Sequence, residues 1–159
     1  AGLPAGKRLK RDTWIVAGLL GGIAGVIAAG SLLCTFAIAE GASAQWRLLF
    51  RLFCHGLPER SLTMFGEAMP ICARCFGIYA GLLLGLVASV SWPKVEERSA
   101  RLLTFAAALP ITLDGVTQAA GLRTSTNTLR IATGLAVAIA FALWALAAVE
   151  QRRGSIATS

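Results

Sequence analysis

The sequence predicts an all-α membrane protein of a single domain, residues 1–159: a four-transmembrane-helix bundle with a short interfacial helix in its first outer loop. Two observations predict it. The first is composition: 56% of the 159 residues are hydrophobic and only 14% are charged, with a mean hydropathy of +0.69. Soluble domains carry about 25% charged residues. The second is arrangement. The apolar residues gather in four runs, each close to the ~20 residues that a helix needs to cross a hydrocarbon core.

The first span is predicted over residues 13–39. Its stretch WIVAGLLGGIAGVIAAGSLLCTFAIA carries no charge and follows the basic cluster Lys7, Arg8, Lys10 and Arg11. The run exceeds the 7–15 apolar residues of a signal-peptide core, so it reads as an anchor. Residues 40–69 form the outer loop. Within it, QWRLLFRLFCHG places Arg47 and Arg51 four residues apart, on one face of a helix. That pattern predicts a short helix lying in the membrane interface. Pro58 and Gly66 predict turns.

The second span is predicted over residues 70–92, opened by Pro70, because proline fits the first helical turn. The third covers residues 100–121 and the fourth residues 128–149, with a charged turn before the third and a short turn between the two. Gly77, Gly81 and Gly85 are each four apart in the second span. Such a stripe lets a neighbouring helix approach closely, a packing feature rather than a chemical one. Trp14, Trp46 and Trp92 fall near span ends, as interfacial anchors do, and Trp144 lies close to the inner end of the fourth span.

Nine lysines and arginines lie on the side of the termini and the turn at 93–101, against six on the other side. The positive-inside rule therefore predicts a multi-pass protein of the cell inner or plasma membrane with both termini cytoplasmic. The net charge of +7 suits lipid headgroups, since the basic residues flank apolar runs; no aromatic, basic surface for nucleic acid is present in the pattern. The predicted partners are the lipid bilayer and other membrane subunits, with no nucleic acid.

Helices alternating in direction bring three polar segments to the outer rim. The first contains Cys54-His55 and the second Cys72-Ala73-Arg74-Cys75. On a helix, Cys72 and Cys75 would share a face near its N-terminus, where backbone N–H groups favour thiolates. Cys54, His55, Cys72 and Cys75 have the ligand types of a Cys₃His zinc site, or of three cysteines with His55 outside the shell. Zinc is the only cofactor this pattern suggests. The same cysteines, Cys72 and Cys75 with Cys54, suit thiol–disulfide exchange with a quinone or a partner protein, or a disulfide that staples the loop. Covalent c-type haem does not fit, because Phe76 stands where the motif requires histidine. Cys34 reads as a small apolar filler.

The third segment holds Asp114, Gln118, Arg123, Ser125, Asn127 and Arg130. A carboxylate inside a span demands a partner, and Arg130, then Arg123, are the candidates. The alternatives are a structural ion pair locking two helices, or a proton acceptor or metal ligand beside the thiols.

The strings CHGLPERS (54–61), PICARCFGIYAG (70–81) and LDGVTQAAGLRTSTNTLRIATG (113–134) together resemble the bacterial and archaeal membrane-protein family of domain of unknown function 2085. The resemblance covers roughly residues 45–145. It implies a small multi-span membrane protein and no particular reaction. It carries over Cys54, His55, Arg60, Cys72, Arg74, Cys75, Tyr79, Asp114, Gln118, Arg123, Asn127 and Arg130 as members of a shared site. The expected function is a mainly structural metal module, compatible with an accessory subunit of a larger membrane complex; the alternative is a membrane thiol–disulfide oxidoreductase.

Overall fold

The computed structural model describes residues 5–91 and 95–157. Trp92 and Lys94 lie outside the described residues. The order is α1 (Ala5–Ala39), a 3₁₀ helix (Ala44–Leu52), a 3₁₀ turn (Pro58–Arg60), β1 (Ser61–Met64), β2 (Glu67–Cys72), α2 (Ala73–Ser91), α3 (Glu97–Ala119) and α4 (Asn127–Ala157). Three helices are long and apolar enough to cross a membrane: Arg11–Ala39, Glu97–Ala119 and Asn127–Arg152. α2 has a shorter apolar stretch, Ala73–Ser89.

The helices turn apolar side chains outward. Ile15, Leu19, Ile23 and Val26 of α1 and Leu102, Phe105, Leu109 and Leu113 of α3 are all exposed. In water such faces would drive association, whereas in lipid they match the solvent. Pro110 sits inside α3, tolerated as prolines are in membrane helices, where neighbours and local adjustment re-satisfy the freed carbonyl.

α4 is the hub, touching α1, α2 and α3. Its tightest seam is with α2 and rests on the predicted glycine stripe. A Cβ on Gly77 would stand 2.6 Å from the Ile131 carbonyl oxygen, one on Gly81 2.7 Å from that of Leu135, and one on Gly85 2.8 Å from the Ala142 Cβ. Gly134 reciprocates from α4, with Arg74 O 2.6 Å from its would-be Cβ. Backbones in direct contact gain dispersion over a long line, the main attraction available between helices in lipid.

Two expectations for residues 40–92 need correction. The outer loop contains a β-hairpin. β1 and β2 pair antiparallel, with Ser61 opposite Cys72, Thr63 opposite Ala68 and Met64 opposite Glu67, and an irregularity between Ser61 and Thr63. Pro70 lies in the irregular stretch, where its missing N–H removes one rung of the ladder. The connecting pair Phe65-Gly66 has positive φ at both residues, 56° and 81°, the combination a tight two-residue hairpin turn needs. Phenylalanine rarely takes this conformation, so no familiar turn signal marks the hairpin. Its ring meets Phe36 edge-on, centroids 5.5 Å apart.

The second correction is that Pro70 does not open a helix: α2 begins at Ala73, and 70–72 are strand. β2 is apolar at Met69 and Ile71, which are 1% and 0% exposed and pack with Ile27 of α1 and with Cys54. The short helix predicted in this loop is a 3₁₀ helix, capped by Ser43, whose Oγ accepts from Gln45 N–H at 3.3 Å. Its Arg47 pairs with Glu67 of the hairpin at 2.6 Å.

Candidate metal and arginine site

The site forms where loop, hairpin and three helix ends meet. Cys54 follows the 3₁₀ helix, and its N–H donates to Phe50 O at 2.9 Å. The chain then turns at Gly56, with φ of 56°. A Cβ there would lie 2.6 Å from Pro70 O, so only glycine lets the Cys54 loop lie against β2. Cys72 ends β2 and Cys75 lies in the first turn of α2. The CxxC pair therefore spans a strand-to-helix junction rather than one helical face.

This junction gathers sulfur. The Sγ atoms of Cys54, Cys72 and Cys75 all lie within 4.8 Å of one another. Backbone N–H groups point at two of them: Cys72 N–H and Gly56 N–H donate to Cys54 Sγ at 3.2 and 3.5 Å, and Cys75 N–H donates to Cys72 Sγ at 3.4 Å. Cys72 thus occupies the capping position of α2, using sulfur where serine would use oxygen. Hydrogen bonds from the Cys72 thiol, then from the Cys75 thiol, hold the Cys54 thiol well below the usual thiol range. All four cysteines are free thiols, Cys34 apart from the other three. His55 contributes no atom to the sulfur group; it is exposed and lines the adjoining cleft.

Beneath the sulfurs sits Asp114, its side chain 2% exposed. It accepts from Arg74, from Arg123 and from Ser125 Oγ, the last at 2.9 Å. Arg74 comes from the first turn of α2, so one carboxylate joins α2, α3 and the turn before α4. A carboxylate at this depth is tolerable because cationic donors fill its oxygens. The partners differ in part from those expected. Arg123 is one, but the first candidate, Arg130, instead donates to Asn127 Oδ1 at 2.9 Å. Asn127 Nδ2 in turn donates to Ser61 O at 2.9 Å, tying α4 to the hairpin.

A cleft of about 320 Å³ opens here, and its lining includes Cys54, Cys72 and Cys75, the arginines Arg60, Arg74 and Arg130, and His55 and Gln118. Tyr79 packs below, against the cluster of Ile27, Cys54, Met69 and Ile71. Arg74, beside Cys75, bonds Asp114 directly, so the cysteine and carboxylate segments meet at one end of the helices.

Comparison with known proteins identifies the family. A family model described as "Predicted membrane protein (DUF2085)" matches residues 54–144. The chain belongs to that family. It is 37% identical over 108 residues to an uncharacterized protein of Methanocaldococcus jannaschii, covering 62% of this chain and 69% of that protein. It is also 37% identical over 94 residues to an uncharacterized protein of Methanothermobacter thermautotrophicus, covering 59% and 85% respectively. No solved structure matches. The matched segment contains all three cysteines of the sulfur group, Asp114 and its arginines, and excludes α1.

Sequence reasoning missed two contributors and the role of a third. Gly56 gave no chemical signal, though a glycine between Cys-His and Leu-Pro marks a turn. Ser125 was placed in the network without a role and proves to be a direct Asp114 ligand. Ser61 acts through its carbonyl, which no side-chain pattern reveals.

Proposed function

We propose that this membrane protein holds a metal ion, zinc by ligand chemistry, in a mainly structural site formed by Cys54, Cys72 and Cys75. The supporting observation is the convergence of three sulfurs from a loop, a strand end and a helix start within 4.8 Å of one another. Tetrahedral zinc with Zn–S bonds of ~2.3 Å needs sulfurs roughly 3.8 Å apart, a small contraction of this arrangement. The N–H groups aimed at Cys54 and Cys72 favour the thiolates a metal requires. Three sulfurs leave one tetrahedral position, for water or for His55 after its ring swings inward. The ion would lock the hairpin onto α2, where the two-stranded sheet alone is too small to be stable.

In this reading the chain makes four crossings, the second built from β2 and α2 in series. The non-helical backbone of β2 is tolerated because protein buries it. The positive-inside distribution puts both termini in the cytoplasm of a multi-pass inner or plasma membrane protein and the cleft on the outer face. Gly18 and Gly22 of α1 have open space around them, a small-residue face suited to helix docking, and the protein serves as an accessory subunit of a larger membrane complex. Elemental analysis of purified protein tests the core of this reading. One zinc per chain is expected, lost in Cys72→Ser; no stoichiometric metal in the wild type sinks it. Sizing in mild detergent tests the subunit role, and a monodisperse lone chain counts against it.

A second reading is supported by the half-buried position of Cys72 and Cys75 on the cleft wall. There a partner thiol could reach them, and the pair would act as a thiol–disulfide oxidoreductase, passing two electrons and two protons to a quinone or a partner disulfide. Alkylation trapping after oxidation and reduction decides: a pair that never changes state rules it out.

A further inference from the structure

The sulfur cluster accounts for part of the cleft lining and leaves its arginines unexplained. Arg60, Arg74 and Arg130 line the cleft, and no carboxylate does. Arg130 is 95% buried, being 5% exposed. Among the described residues its one hydrogen bond to a side chain is to the neutral Asn127, and its Nε has no partner. Arg74 spends Nη2 on Asp114, and its Nε is likewise buried without a partner. Arg60 is exposed at the cleft mouth and forms no ion pair among the described residues. Asp114 lies underneath, already engaged by Arg74 and Arg123.

Burying a guanidinium with no carboxylate in direct contact is costly in a low-dielectric setting, even with Asp114 nearby. Such a cost is accepted where a ligand repays it. A zinc ion held by three thiolates is formally −1, so four arginines against Asp114 and that unit still leave the cleft cationic. We propose that the cleft arginines bind a phosphate-class oxyanion, either free phosphate or the phosphate of a lipid headgroup. Three different elements supply the guanidinium groups: the 3₁₀ turn Pro58–Arg60, the start of α2 and the start of α4. A tetrahedral anion offers oxygens in several directions, whereas a planar carboxylate suits one fork. The N-terminus of α2 also faces this end, adding the positive pole of its dipole. The proposal stands on the arginines and does not require the metal.

The test is calorimetric titration of the full chain in dodecylmaltoside at low salt, with inorganic phosphate in one arm and dioctanoyl phosphatidate in the other. Metal content is measured on every sample. One equivalent is expected to bind. Arg60→Gln should weaken it about tenfold, the worth of one charge-assisted hydrogen bond, as should Arg130→Gln. Arg51→Gln, an exposed arginine outside the cleft, should leave it unchanged. Binding of both probes assigns a general phosphate site, and binding of phosphatidate alone assigns a lipid headgroup site; either upholds the proposal. It is overturned if neither probe binds, or if Arg60→Gln and Arg51→Gln bind alike. Should Arg130→Gln fail to fold, exposed Arg60 carries the test. Phosphate binding in wild-type protein devoid of metal would sink the zinc reading and leave this one standing.

Discussion

Gly81→Ala adds a single methyl group at the tightest part of the α2–α4 seam. The new Cβ would meet Leu135 O at 2.7 Å and Ala138 Cβ and Leu135 Cα at 2.9 Å each, where ordinary contact starts near 3.4 Å. Two of the three atoms are backbone, so no rotamer change relieves the clash. The helices cannot tilt apart locally either, because Gly77 and Gly85 are closed one turn away on either side by Ile131 and by Ile139 with Ala142. Relief requires moving α2 off α4 as a body, which forfeits dispersion along the seam and pulls Arg74 away from Asp114. Overpacking of this kind costs about 1–3 kcal/mol. Gly18→Ala is the internal control, since nothing lies within 4 Å of its would-be Cβ, and alanine is the better helix former. Thermal unfolding in dodecylmaltoside, read by loss of the monodisperse peak on sizing, compares the two. Gly81→Ala should unfold several degrees below wild type and Gly18→Ala should not. Equal midpoints would refute close backbone packing as what joins these helices.

Asp114→Asn keeps the shape but removes the charge that Arg74 and Arg123 share, and should cost about 3 kcal/mol by the same assay, the low end for a broken buried pair because the Arg123 side chain is 45% exposed. Ile71→Ala empties a 0% exposed position under the cysteines and should cost about 2–5 kcal/mol, with weaker metal retention measured on the same sample. Glu67→Gln breaks a half-exposed pair with Arg47 and should change stability by less than about 1 kcal/mol. Chelator should lower the unfolding midpoint of wild-type protein and leave Cys72→Ser where it is, since binding only to the folded state is what raises the midpoint.

Much of the site was legible in the sequence because its clues are residue types that lipid penalises. Asp114 within a span demanded a cation, and Arg123 was among those named for it. The CxxC pair and Cys54 sat at ends of elements that alternating direction brings together. The choice of Arg74 over Arg130 was not legible, because both arginines start helices at the same rim. Their reach depends on the rotation and spacing of α2 and α4, which the glycine seam sets.

The sequence by itself determined that the chain lives in a membrane, that it is built from long apolar helices, and that its cysteines, carboxylate and arginines fall in three polar segments. Those properties follow from hydropathy, charge and helical rise, all of which are local. Only the tertiary structure decided that 61–72 form a hairpin, that Cys72 ends a strand, and that Arg130 lines the cleft with no carboxylate in contact among the described residues. Strand pairing and salt-bridge choice depend on partners far along the chain. A buried Met69-Pro70-Ile71 reads equally well as helix or strand until α1 and Cys54 are packed against it.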